Sequence, residues 1–153
     1  KKYDDGPQEW LEELLVSRAR TSQRIDIAEP GFIDEDFLVN LLNAASTNSS
    51  LRHFAFVVQN VEASPSAKVT ACANSVLNSC PLLKEVDIAG CRVGYADSLR
   101  IPARAFDAIR LRRCDQNFAV FSPTFVRVKN VSVDWPVVPD LQTFNSCLAA
   151  CQN

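Results

Sequence analysis

Few residues in this chain could carry out chemistry. There is one histidine, His53, and any Ser–His–Asp or Cys–His arrangement would have to use it. The six cysteines include no C-x-x-C pair, so their spacing argues against a structural zinc site. No G-x-x-x-x-G-K-S/T loop is present to hold a phosphate group. We therefore expect no catalysis, no bound metal and no cofactor.

The composition predicts one ordinary folded domain over residues 1–153. Hydrophobic residues make up 47% of the chain, which is enough to bury a sizeable core. The 16 basic and 18 acidic residues leave a net charge of −2, so the charge balance gives no reason to expect nucleic acid or an anionic membrane as a partner. No apolar run approaches the ~20 residues of a membrane span, and no signal peptide is visible. Because the sequence contains no methionine, we expect a processed chain or an excised piece.

A repeated pattern predicts the elements that would position a site. The stretch LLKEVDIAGCRV has two apolar residues, Val86 and Ile88, with one residue between them, and Cys91 follows three residues later. Similar pairs recur along the chain, and their first members are Ile25, Phe54, Val86, Ile109 and Val131. These residues are 29, 32, 23 and 22 positions apart, so two long repeats are followed by two short ones. We interpret residues 22–138 as an array of similar units.

The spacers between the pairs predict how the units connect. Apolar residues at helical spacing predict helices at about 7–20, 34–47 and 65–79. The first helix carries an apolar stripe made of Trp10, Leu11, Leu14 and Leu15. The short spacers contain Pro102 and Pro123, which favour turns or a short 3₁₀ piece over a full helix. Residues 139–153 would close the C-terminal end.

Units of this kind predict an α/β fold in which strands and helices form a right-handed coil. Each turn buries its apolar face against its neighbours. About five parallel strands would line the concave face, and helices or turns would cover the convex face. The pattern resembles the leucine-rich repeat, specifically the ribonuclease-inhibitor-like kind, which implies a leucine-rich-repeat solenoid.

Two shorter stretches resemble particular repeat families. SCPLLKEVDIAGC is similar to the cysteine-containing repeats of F-box substrate receptors. Residues 48–94 resemble, in their strand–helix–strand spacing, the actin-capping domain of tropomodulins. Both resemblances end near residue 96 and bear on the fold more than on the function.

Alternate strand residues should point away from the helices and form a binding face. In the predicted register this face is acidic and apolar in its first three repeats and basic at the fourth. Arginine and aromatic residues dominate interface hot spots, so one contiguous patch of Arg110, Arg112 and Trp135 is expected. The candidate protein-binding residues are His53, Val57, Asp87, Arg110, Arg112, Arg113 and Trp135. The alternative is that RLRR (residues 110–113) is a solvated charge run and that Trp135 folds onto the C-terminal segment.

Two cysteines occupy the same slot of adjacent repeats. Cys91 and Cys114 follow their apolar pairs by three residues, where the chain leaves the strand. We expect both to be buried, free and unreactive, as in a reducing compartment. Cys147 and Cys151, near the end of the chain, are predicted to be more accessible.

These observations favour a non-catalytic protein-recognition or scaffold module that uses its concave face to bind another protein. We expect an intracellular location, and either a monomer or a subunit of a larger complex. One alternative is a structural subunit built permanently into a cytoskeletal or organellar assembly. Another is a secreted or receptor fragment, because Asn-x-Ser triplets at Asn48 and Asn130 are compatible with secretion without establishing it.

Overall fold

The computed structural model of the protein describes residues 6–60, 64–116 and 128–134. Each predicted helix is present within two residues of its expected bounds. The helices are α1 (Gly6–Ala19), α2 (Glu35–Ser46) and α3 (Ala67–Ser79), with a 3₁₀ turn at Pro30–Phe32. The strands are β1 (Arg24–Ala28), β2 (His53–Val57), β3 (Glu85–Ala89), β4 (Arg92–Val93), β5 (Phe106–Arg112), β6 (Asp115–Gln116) and β7 (Val128–Asp134).

The five predicted strand cores form one parallel sheet in chain order, β1-β2-β3-β5-β7. The first residues of the apolar pairs are direct partners across the sheet, in the series Ile25, Phe54, Val86, Ile109 and Val131. The predicted register is therefore confirmed, and none of these pairings is antiparallel. The pattern worked because one side of the sheet is buried, and a slip of one residue would expose the whole apolar set.

The core lies between this sheet and the two helices of the long repeats. Side chains buried almost completely come from both layers and include Leu38, Leu42, Phe54, Phe56, Val76, Leu77, Val86, Ile88, Ile109 and Leu111. Side-chain oxygens cap both helices, as short polar residues commonly do. Asp34 accepts from the Phe37 N–H at 2.9 Å, and Ser66 accepts from the Val69 N–H at 3.2 Å.

The short repeats begin after β3, and the described connection between β3 and β5 contains no helix. Residues 94–105 contain turns and bends, as the proline in this spacer predicts. The segments that follow β3 and β5 also pair with each other, and β4 and β6 form a second, two-stranded parallel sheet. The spacer that contains Pro123, the closing segment 139–153 and both C-terminal cysteines lie outside the described residues.

The cysteine slot performs the predicted structural role. The Cys91 thiol donates to the Ala89 carbonyl at 3.3 Å, and the Cys114 thiol contacts the Ile88 and Arg112 carbonyls at 3.4 Å. Both thiols are buried and free. Burial raises the pKa of Cys91 to about 12, and burial likewise raises the pKa of Cys114. Two small side chains thus satisfy carbonyl groups where the chain bends out of the sheet.

Helix α1 presents its apolar stripe to solvent. All four residues of the stripe are exposed, namely Trp10, Leu11, Leu14 and Leu15. Trp10 is the most exposed of them at 64%. From the same helix, Ala19 is buried and Val16 packs against the core. The helix is therefore attached along a different face from its most apolar one.

Candidate protein-binding face of the sheet

The candidate site is the outward face, which we define as the side of the five-stranded sheet opposite α2 and α3. One row across it is formed by Asp26, Ala55, Asp87, Arg110 and Ser132. The next row is Ala28, Val57, Ala89, Arg112 and Asp134. Both rows follow the predicted pattern, acidic or apolar on the first three strands and basic on the fourth. Because strand neighbours lie ~4.8 Å apart, charged side chains in these rows can reach one another.

His53 is not the surface residue that the sequence predicted. Its side chain is only 11% exposed because carboxylates of the two flanking strands cover it. The Nδ1 atom lies 3.2 Å from Glu85 Oε2, and Nε2 lies 3.3 Å from Asp26 Oδ1. Nδ1 is within hydrogen-bond distance of Glu85, whereas Nε2 is buried and forms no hydrogen bond, so the imidazole is an enclosed part of the face and not part of its accessible surface.

Arg24 completes this group, which we call the His53 cluster (Arg24, Asp26, His53 and Glu85). The Arg24 Nε donates to Asp26 Oδ2 at 2.7 Å. This hydrogen bond, together with the charge of Asp26, raises the pKa of the Arg24 guanidinium. Arg24, His53 and Glu85 are register partners in a third row, two residues before the row of Asp26, Ala55 and Asp87. Extending the columns back to the first residue of each strand would have found it.

Arg112 is already paired within the protein. Its Nε and Nη2 atoms donate to Asp87 Oδ1 at 3.2 and 3.1 Å, and Nη2 also donates to Oδ2 at 3.1 Å. Such two-pronged arginine–carboxylate pairs have fixed geometry and are stronger than single contacts. The Asp87 side chain is 17% exposed and the Arg112 side chain is 50% exposed, so the pair covers the carboxylate and leaves the guanidinium partly accessible. The expected patch of Arg110, Arg112 and Trp135 therefore contains one arginine that is paired with a carboxylate and one that is unpaired among the described residues, and it stays a prediction because Trp135 lies outside them.

Arg110 is that unpaired arginine. Its side chain is exposed at the centre of β5, between Asp87 on β3 and Ser132 on β7. Arg112 occupies both oxygens of Asp87, and Arg110 forms no ion pair or side-chain hydrogen bond with any residue in the described ranges. A guanidinium in this state has all of its donors available to a partner.

The remaining predicted residues lie at the edge of the face or outside it. Val57 is half-buried at the end of β2. Arg113 follows β5 with a φ of 50° and lines a groove with Gly90, Cys91 and Arg92 instead of joining Arg110. Arg113 does not extend the outward face because the chain turns after β5, and Val58, at the equivalent position after β2, is 1% exposed. Trp135 lies outside the described residues.

Other site types receive no support from the described residues. Across 6–60, 64–116 and 128–134, no group of three or more His, Cys, Asp or Glu side chains could hold a metal ion. No helix in the same ranges is long and apolar enough to cross a membrane.

Asn48, the acceptor residue of the first glycosylation triplet, has a structural function. The side chain is 1% exposed, and its Nδ2 donates to the Ala19 and Ser22 carbonyls at 2.9 and 2.7 Å. A glycan would have to be attached to this same nitrogen. The Asn48 triplet is therefore incompatible with glycosylation in the folded chain.

No protein-family model and no curated protein matches this sequence. Solved structures with leucine-rich-repeat-like folds do match it. The tropomodulin C-terminal domain from Caenorhabditis elegans matches with a TM-score of 0.55 at 10% identity, covering 92% of this chain and 91% of that one. The leiomodin-1 actin-binding site 2 matches with a TM-score of 0.58 at 8% identity, covering 96% and 88%. At such identities the likeness shows the fold alone, and it agrees with the tropomodulin resemblance found in residues 48–94.

Proposed function

We propose that the chain is a non-catalytic protein-recognition module whose outward face binds an acidic surface of another protein. Residues 1–153 form one leucine-rich-repeat domain of the ribonuclease-inhibitor-like kind, and the five-stranded sheet is the concave side of its solenoid. The module acts inside the cell as a monomer or as part of a larger complex.

The observation that carries the proposal is the state of Arg110. Two other arginines of the face are paired: Arg112 with Asp87, and Arg24 with Asp26. An exposed, unpaired guanidinium on this rigid, paired background is suited to a carboxylate of a partner, which it can contact through two parallel hydrogen bonds. Paired neighbours also hold the strands' side chains in place, so less side-chain freedom is lost on binding.

Actin is the first partner to test, since the matching leiomodin-1 structure is named as an actin-binding site. The purified chain is mixed with actin monomers and, separately, sedimented with actin filaments. We expect Arg110→Glu to weaken the measured affinity about tenfold or more, since an interface arginine commonly contributes 2 kcal/mol or so. Arg113→Glu is the matched control, because it makes the same charge change off the outward face.

If the parent chain binds neither form of actin, the same variants serve as affinity baits in an extract. A protein retained by the parent and by Arg113→Glu, and lost by Arg110→Glu, supports the outward face. If Arg110→Glu binds like the parent while Lys68→Glu on α3 weakens binding, the recognition surface lies on the helices and the proposal is wrong.

Size-exclusion chromatography separates this proposal from a subunit built permanently into an assembly. A recognition module runs as a soluble monomer on its own. A built-in subunit aggregates when isolated or is recovered only in complex with its neighbours.

A further inference from the structure

The large sheet has an open edge at β1. This strand comes first in the sheet order and pairs on one side only, with β2. In a parallel pair, the hydrogen bonds to one neighbour use every second residue of a strand. The bonds to β2 begin at the Gln23 carbonyl, which accepts from the His53 N–H at 3.0 Å. They end at the Glu29 N–H, which donates to the Val57 carbonyl at 2.7 Å. The odd-numbered residues of β1 therefore face β2.

The even-numbered residues of β1 present their backbone groups to the free edge. These residues are Arg24, Asp26 and Ala28, and they align with residues 53, 55 and 57 of β2. In β2 these aligned residues bond to the preceding strand, which is β1. No described strand occupies the same position before β1. The N–H and C=O groups of the three residues are therefore available to an added strand.

A groove of about 410 Å³ runs along this edge. All five residues of β1 line it, both those that point towards the helices and those that point to the outward face. Consecutive side chains of a strand alternate between the two faces of a sheet, so only a groove beside the strand can contact all of them. The groove therefore gives access to the free backbone groups of β1.

The groove is apolar on its helix side. Its apolar lining consists of Leu15, Ile25, Ile27, Ile33, Phe37 and Leu41. Helix α1 packs against α2 as α2 packs against α3, so the helix layer has a member before β1 that no described strand accompanies. The groove thus has the form of a repeat unit that has its helix, α1, and lacks its strand.

The charged side chains give the groove a net positive charge. They are Arg18, Arg24 and Asp26. Arg24 and Asp26 are paired at 2.7 Å, whereas Arg18 is exposed and forms no ion pair with any described residue. A ligand with a carboxylate beside Arg18 complements this charge.

The geometry selects among the possible occupants. Residues 1–5 precede α1 directly and are too few for a strand and a connection such as residues 29–34, which join β1 to α2. A second copy would bring its own α1 beside its β1, so two helices would have to share one groove. An extended segment of another protein brings no helix, and it can bond to β1 through its backbone.

We propose that the β1 edge is a second binding site, which takes an extended segment of a partner protein as an added strand parallel to β1. Alternate apolar side chains of this segment enter the groove and contact Leu15 and Phe37, and an Asp or Glu lies beside Arg18. The backbone groups of its apolar residues face β1, just as those of Ile25 and Ile27 face β2. The site is independent of the outward face.

The test uses a labelled peptide of about seven residues, the length of an ordinary strand. It has valine at every second position, threonine between the valines and glutamate at each end. Two versions are methylated on backbone nitrogens, one on two valines and the other on two threonines. Binding is followed by fluorescence anisotropy of the label.

We expect the unmodified peptide to bind. Methylation of the valine nitrogens should weaken binding about tenfold or more, because it removes donors that face β1. Methylation of the threonine nitrogens, which face away from β1, should leave the affinity unchanged. The two versions contain the same number of methyl groups, so the comparison isolates the bonded edge.

Amide hydrogen exchange of the protein provides a second readout. In the free protein, the N–H groups of Arg24, Asp26 and Ala28 should exchange faster than those of Ile25 and Ile27, which bond to β2. The peptide should slow exchange at the first three residues and leave the other two unchanged.

Variants of the protein test the same contacts. Ala28→Pro removes an N–H that the fold does not use, and edge strands tolerate proline when that N–H faces outward. It should weaken peptide binding about tenfold at an unchanged melting temperature, whereas Ala28→Ser keeps the N–H and should bind like the parent. Arg18→Glu should weaken binding about threefold, and Arg20→Glu, an equal charge change outside the groove, should have no effect.

Several results would overturn the site. Equal affinity of the two methylated peptides would show that no strand is added, and loss of binding in Arg110→Glu would place the peptide on the outward face. Slow exchange at Arg24, Asp26 and Ala28 without peptide would show that the edge is already occupied. A dimer on size-exclusion chromatography would then assign the edge to a second copy, and a monomer would assign it to another segment of the same chain. If Ala28→Pro fails to fold, the two methylated peptides decide the question.

Discussion

The two connections before β3 and the connection after it solve the same problem differently. Each must return the chain to the start of a parallel strand while covering the sheet. Before β3, α2 and α3 do this with helices whose backbone groups bond within the helix. Their contribution to the core is apolar, with Leu38, Leu42, Ala73 and Leu77 at 0% exposure.

After β3, residues 94–105 cover the sheet with turns, whose backbone groups need partners elsewhere. Asn74 on α3 supplies two of these partners, since its Nδ2 donates to the Ser98 carbonyl at 3.0 Å and its Oδ1 accepts from the Arg100 N–H at 2.8 Å. Arg104 reaches back to the preceding repeat and donates to the Cys80 carbonyl at 2.8 Å.

The comparison shows what a short repeat requires. Replacing a helix by turns saves residues, yet it transfers hydrogen bonds from backbone to side chains. The helical half should therefore be most sensitive to loss of apolar volume, and the turn half to loss of single polar side chains. The following variants test this difference.

Leu42→Ala should have the largest effect. It empties a fully buried position between α2 and the sheet, and such truncations lower the free energy of unfolding by about 3 to 4 kcal/mol. Chemical denaturation of the variant measures the loss. Leu82→Ala is the control, because Leu82 is 43% exposed and its truncation should change the free energy by less than about 0.5 kcal/mol. Equal losses for both would refute a core organised around α2.

Gly90→Ala tests the junction between the two halves. Gly90 has a φ of 67°, and an added Cβ would lie 1.8 Å from the Val58 carbonyl oxygen. Strain at this dihedral and the clash should together lower the free energy of unfolding by about 3 kcal/mol. The next repeat offers a matched control in Arg113→Gly, which relieves a residue at a φ of 50° and should stay within about 1 kcal/mol of the parent. A melting temperature of Gly90→Ala equal to that of the parent would contradict the close approach.

Arg104→Ala should weaken the turn half. It removes the donor to the Cys80 carbonyl and the guanidinium that lies 5.0 Å from the Phe106 ring centroid. Burial lowers the pKa of Arg104, which marks a partly desolvated cation with a structural function. We expect a loss of about 2 kcal/mol by denaturation. Arg100→Ala removes exposed bonds to the Tyr95 and Ala96 carbonyls and should cost less than half as much. The reverse order would argue against side-chain support of the turns.

Alkaline pH should destabilise the fold through its buried thiols. The pKa of Cys91 is raised to about 12 from 9.0, so the folded chain keeps this proton while the unfolded chain loses it. The resulting stability is complete below pH 9 and disappears as the pH rises towards 12. Cys91 should account for a loss of about 1.4 kcal/mol at pH 10. Denaturation at pH 7 and pH 10 measures it, and Cys91→Ala should show a smaller difference between the two. An equal difference in both chains would show that Cys91 does not titrate in this way.

The register of the sheet could be predicted because apolar alternation records burial directly. Ile25, Phe54 and Val86 recur at the same place in each unit, and a single buried face allows only one alignment. The thiol slot was predictable for a similar reason, since Cys91 and Cys114 share both residue type and position.

The state of the charged residues could not be predicted in the same way. The rows place Asp87 beside Arg110 and diagonal to Arg112, and both partners are within reach. Which arginine takes the carboxylate depends on side-chain geometry that periodicity does not contain. The burial of His53 likewise depends on Asp26 and Glu85, which come from separate strands. The exposure of the α1 stripe could not be predicted either, because an apolar stripe on a helix normally indicates a buried face and does not identify the element that would cover it.

The order of the strands in the large sheet has a consequence for biosynthesis. Each of β2, β3, β5 and β7 pairs with the sheet strand that precedes it in the chain, so its hydrogen-bonding partner has always been translated earlier. A nascent chain emerges from its N-terminus at about 5 to 20 residues per second, which is slow compared with the docking of one strand and its connection. The domain can therefore assemble on the ribosome in the order of translation, with each new strand added to the edge left by the one before it.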